Sequence, residues 1–184
     1  MKKWSIGKKL FLATGLLSAL IAGLGVMSLL SLGRIQGNME TAAGDLTERN
    51  RLASEIHDSS QEAFLAAKTS LLAALTNDPG RKLEFRQTEL DDLAEVAGQI
   101  EKVPALQQDS SRQALERIRA NRSLWLQLIP GINRMIDEGR VADAQRLSLK
   151  EVRPLYEAMN KDADLILSDG RKSMTDLRAA GEQT

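Results

Sequence analysis

The sequence predicts an all-α protein: an antiparallel up-down four-helix bundle whose first helix is continuous with an N-terminal transmembrane helix. Three observations predict it. The 23 residues from Leu10 to Leu32 carry no charge. The 151 residues from Arg34 onward space their apolar side chains at steps of three and four, with few helix breakers. Three Phe, two Trp and one Tyr are too few for a sheet protein, and no stretch alternates at period two.

Composition removes several function classes. Without cysteine there is no disulfide, and His57 alone cannot build a Cys/His zinc site. A formal net charge of zero gives no argument for nucleic acid. That zero averages two unlike parts. Residues 1–33 hold four Lys and no acid, leaving 21 basic and 25 acidic groups, or −4, for residues 34–184.

The first element is the apolar stretch. At about 1.5 Å per residue, residues 10–32 make a helix of roughly 34 Å, enough to cross a hydrocarbon core of about 30 Å. Lys2, Lys3, Lys8 and Lys9 all precede it, so residues 1–9 are expected in the cytoplasm and residues 33–184 beyond the membrane. The apolar run is longer than the roughly 7–15 residues of a signal peptide and has no clear small-x-small cleavage site, which favours an uncleaved anchor. Gly15, Gly23 and Gly25 lie in the span without forming a clean GxxxG face.

Four helices are then expected, at 34–76, 81–102, 105–138 and 141–180. The cuts are Asn77-Asp78-Pro79-Gly80, Val103-Pro104 and Glu138-Gly139-Arg140. The first helix has a stripe of Leu46, Ala53, Ile56, Ala63, Ala67 and Ala74. The second has Leu83, Leu90, Leu93, Ala97 and Ile100. The third is the cleanest, with Leu115, Ile118, Arg122, Trp125, Ile129, Ile132 and Ile136. The fourth has Leu155, Met159, Ala163, Ile166 and Gly170. Short connections favour antiparallel neighbours. Pro130 and Pro154 fall inside helical patterns, and each is expected to kink its helix. Pro130 reads as a fixed bend. Pro154 could loosen the backbone at a ligand-responsive level.

No catalytic constellation is present, and neither an enzymatic activity, a metal nor a cofactor is expected. His57 has Asp58 beside it, but neighbours on a helix point about 100° apart and form no dyad. Asp91-Asp92 reads as exposed helix charge. Arg122 lies on an apolar stripe and Asp162 near one, so each must pair, snorkel or face a wet cavity. Trp125 reads as core. Tyr156 follows Pro154 and has a polar tip, which suits core or site lining.

The layout resembles the periplasmic sensor region of bacterial methyl-accepting chemotaxis proteins. The residues that carry the likeness are MKKWSIGKKLFLATGLLSALIAG at the start, ANRSLWLQLI in the third helix, DEGRVADAQRL at the third turn and KEVRPLYEAMNKDADLIL in the fourth helix. The resemblance implies an inner-membrane homodimer joined through its first helix. A small molecule or a periplasmic binding protein would engage the distal half of the bundle. Binding would displace the fourth helix and, through a second span and output half beyond LRAAGEQT, act on a cytoplasmic kinase and adaptor. The same architecture also fits the sensor region of a histidine kinase or cyclase, or a membrane-anchored scaffold.

Family members that bind amino acids place several arginines on the distal first helix, because guanidinium forks suit carboxylates. Here Leu52 to Pro79 contains no Arg and one Lys, Lys68. If a small ligand binds there, Lys68 of the first helix and Arg153 and Tyr156 of the fourth are the expected contacts.

Overall fold

The computed structural model describes residues 6–103 and 109–181. Before Glu40, and at residues 180 and 181, it describes the backbone alone, apart from Met27. The expected basic tail up to Ser5 and the expected start of the third helix at 105 lie outside the described residues. So do the side chains of the expected 10–32 span, Met27 excepted. Among the described residues no helix is long and apolar enough to cross a membrane, and there is no strand. The chain forms two units, 1–43 and 44–184. The first consists, where described, of helical backbone. The second is a helical bundle.

Helix α1 runs Ile6–Leu75, α2 Pro79–Lys102, α3 Asp109–Asp137, α4 Val141–Leu147 and α5 Arg153–Gly181, with a π-helical turn at Ser148–Val152 joining the last two. The α4, π-turn and α5 segments follow one another directly and form the fourth arm of the bundle. The apolar periodicity of α3 and α5 is met closely. Ile118, Trp125, Ile129, Ile132 and Ile136 are buried, as are Met159, Ala163, Ile166 and Gly170. From α1, Ala53, Ile56 and Ala63 join the same core. Burying one side chain of the Leu, Ile or Val type contributes about 1.5–3 kcal/mol, so these stripes supply the main driving force.

In α2 the buried face differs from the expected stripe. Leu83 is 63% exposed and Leu90 39%, while Glu89, Leu93, Val96, Gln99 and Ile100 are buried. Leu93, Val96 and Ile100 set the buried face, Glu89 shares it at steps of four and three with Trp125 as its partner there, and Leu90 falls about 100° away on the exposed side.

Two sharp turns lie at one end of the bundle and close in the same way. Asn77 has φ 55°, its N–H donates to the Ala74 carbonyl, and the Asp78 N–H donates to the Ala73 carbonyl. Gly139 has φ 75°, with Gly139 N–H donating to Ile136 and Arg140 N–H to Met135. This paired closure satisfies the last carbonyls of a helix and needs a residue that tolerates positive φ, as Gly and Asn do. Helix α2 begins two residues before the expected 81. The Asp78 side chain accepts from the Arg81 N–H and caps the helix, and Pro79 at the first position lacks an N–H that would be unused anyway.

The two internal prolines behave differently. Helix α3 continues through Pro130. The fourth arm widens just ahead of Pro154, where the Arg153 N–H donates five residues back to the Ser148 carbonyl. A proline ring collides with the carbonyl four residues earlier, here Lys150, and offers it no hydrogen. One wide turn relieves both problems.

Candidate ligand site at the distal end of the bundle

A cavity of about 220 Å³ opens where the end of α1 faces α4 and the π turn. Helix α1 contributes Phe64, Lys68, Leu71, Leu72 and Leu75. These positions follow steps of three and four and therefore share a face. Across from them are Val141 and Gln145 of α4 and Ser148 and Leu149 of the π turn. The lining thus has one cation, two neutral polar groups and no acid.

Phe64 forms the floor and connects the cavity to the core. The Tyr156 ring stacks on it, with centroids 4.4 Å apart and planes 14° apart. The Lys68 ammonium lies 4.3 Å from the same centroid. Both groups therefore lie against the Phe64 ring, which is 5% exposed. Trp125 meets Phe64 edge-on at 6.4 Å. Its Nε1–H donates to Glu89 Oε1 at 2.8 Å. Burial pushes the Glu89 carboxyl up to about 7, against the opposing pull of the Trp125 hydrogen bond and the Arg86 charge. A small void of about 10 Å³ beside Glu89 is bordered by Ser70, Asn133 and Ser148. Ser148 therefore borders both spaces.

The turn region above the cavity is pinned by charge. Asp137 accepts from Lys82 Nζ at 2.9 Å and from both terminal nitrogens of Arg86. The hydrogen bonds from Arg86 and Lys82 hold its carboxyl down to about 2.

Of the three residues expected to bind ligand, Lys68 lines the cavity. Tyr156 reaches it through Phe64. Arg153 is exposed, is paired through Nε with Glu157 Oε1 at 2.7 Å, and is not among the lining residues. Phe64, Gln145, Ser148 and Leu149 were not anticipated. Phe64 sits one position beyond the Ala63 stripe; Ser148 and Leu149 lie in a π turn that periodicity does not reveal, and Gln145 lies in α4 just ahead of it.

The two charges expected to need partners have them. Arg122 Nε donates to the Leu93 carbonyl. Asp162 is buried and takes a forked pair of bonds from Arg117, the shortest 2.6 Å. His57 Nδ1 lies 3.5 Å from Asp164 Oδ1 on α5. Asp92 is half-buried, and burial together with Glu62, Glu95 and Asp91 raises its carboxyl above the usual range. Among the described residues no group of three or more His, Cys, Asp or Glu is placed to hold a metal ion.

No curated protein and no solved structure gives a match to the chain. A family match does, and it spans residues 3–169, most of the sequence. The match covers nearly all of the helical bundle, and the chain belongs to the four-helix-bundle sensory modules for signal transduction.

Proposed function

We propose that the chain is the sensor region of a membrane receptor of the chemotaxis-transducer kind. It binds a small molecule in the distal cavity and passes the signal along α5. The observation that carries this reading is the position of the cavity. Ser148 and Leu149 belong both to its wall and to the π turn that leads into α5. A ligand that prefers one arrangement of that turn biases the helix attached to it, and a ligand shifts an equilibrium by its differential affinity for the two states. π turns are frequent at functional sites.

The receptor is anchored in the bacterial inner membrane by residues 10–32, with the N-terminus in the cytoplasm and the bundle in the periplasm. Support comes from the 23 uncharged residues, the four preceding lysines and the helical backbone of α1 from Ile6 to Leu75. It acts as a homodimer through α1, where Leu65, outside the cavity wall, is 51% exposed. The signal leaves through a second span and an output half not contained in this sequence.

A thermal-shift screen of the full chain against a metabolite library tests the binding step. A ligand that prefers the native state raises the melting temperature. Compounds that stabilise the wild type and fail to stabilise Leu149→Trp, which fills the cavity, are the expected result. A library without such a compound contradicts the reading.

A further inference from the structure

We infer that the distal cavity accepts a short aliphatic carboxylate, its charged end against Lys68 Nζ and its chain among the leucines of α1 and the π turn. The inference rests on reading this cavity as the sensory site, and the chemistry of its wall selects the class. Lys68 is the single charged lining residue, and the polar remainder is Gln145 and Ser148. An anion gains a charge-assisted hydrogen bond there, whereas an amine meets no carboxylate. One cation suits one carboxylate, so a dicarboxylate would leave its second charge among Leu71, Leu72, Leu75 and Leu149. A free amino acid has the same difficulty with its ammonium.

Shape narrows the class further. An aromatic ligand would seek a ring to stack on, and Phe64 is the ring in the wall. That ring is 5% exposed, with Tyr156 stacked on it at 4.4 Å and the Lys68 ammonium 4.3 Å from its centroid, so it has little surface left to offer. What the wall offers instead is aliphatic surface from α1, Val141 and Leu149. A cavity of about 150 Å³ holds the six heavy atoms of benzene, so one of about 220 Å³ has room for the roughly eight heavy atoms of a six-carbon carboxylate.

The test is calorimetric titration of the purified full chain with hexanoate, hexan-1-ol, hexylamine and benzoate. Hexanoate is expected to bind about tenfold more tightly than hexan-1-ol and hexylamine, the scale of one charge-assisted hydrogen bond, and more tightly than benzoate, which keeps that bond but finds no ring to stack on. Lys68→Met is expected to bring hexanoate down to the level of hexan-1-ol, and Lys68→Arg to keep the preference. Lys68 is exposed, so neither change threatens the fold. Equal binding of hexanoate and hexylamine, tighter binding of benzoate, or no binding of hexanoate overturns the inference. If hexanoate is silent while another compound binds the wild type and not Leu149→Trp, the carboxylate assignment falls and the sensory site stands. If no compound responds to Leu149→Trp, both fall.

Discussion

Glu89 combines two demands that pull its proton affinity in opposite directions. Burial favours the neutral acid, and the Trp125 Nε1–H favours the carboxylate. Burial wins, and the folded chain holds this proton up to about pH 7, against an ordinary value of 4.5. A carboxyl with a raised folded value stabilises the fold most below its unfolded value, and that contribution is lost as the pH rises through the folded one. The window is therefore pH 4.5 to about 7, and the loss across it is about 3 kcal/mol. Denaturant unfolding at pH 5 and pH 8 checks this. Wild type is expected to lose about 2–3 kcal/mol more than Glu89→Gln over that interval, and parallel behaviour of the two contradicts it. Trp125 was legible as core because it falls on an unbroken 3–4 stripe. Glu89 was not, because an acid beside Leu90 reads as surface charge until the opposing indole is known.

At the scale of the element, the sequence marks helix ends well and helix distortions poorly. Gly139 announces its turn, since its positive φ is costly for other residues. Pro79 misleads slightly: proline resists helix continuation from behind but starts a helix readily when Asp78 caps it. Pro154 announces a disturbance without saying which kind, and the outcome is a π turn at Ser148–Val152. Pro154→Ala restores the missing N–H and removes the ring. The expected result is ordinary hydrogen bonding from residue 154 to the Lys150 carbonyl and loss of the wide turn. Backbone chemical shifts and amide exchange at residues 148–154 report this, and persistence of the π turn in the variant shows that packing, not proline, imposes it. The same variant links element to function, because straightening the turn moves Ser148 and Leu149 out of the cavity wall they now form.

For the whole molecule, the bundle was legible from apolar periodicity because each helix must bury its stripe somewhere. The cavity was not legible, since it depends on how the end of α1 packs against α4. Lys68 stood out in the sequence as the one lysine in an arginine-free stretch, but its partner Phe64 emerged from packing alone. The membrane placement has its own check. The sequence contains no cysteine, so Glu116→Cys introduces a single thiol on an exposed position of α3. A membrane-impermeant maleimide added outside the inner membrane is expected to label it, and labelling after lysis alone contradicts a periplasmic bundle. In the proposed sensor, a ligand held between α1 and the π turn acts on α5. Hydrogen exchange, with the library compound that stabilises the chain most, measures this directly. Slower exchange is expected at residues 64–75 and 141–156, with altered exchange continuing along α5, all absent in Leu149→Trp; protection elsewhere in the bundle, or an unchanged α5, would contradict such coupling.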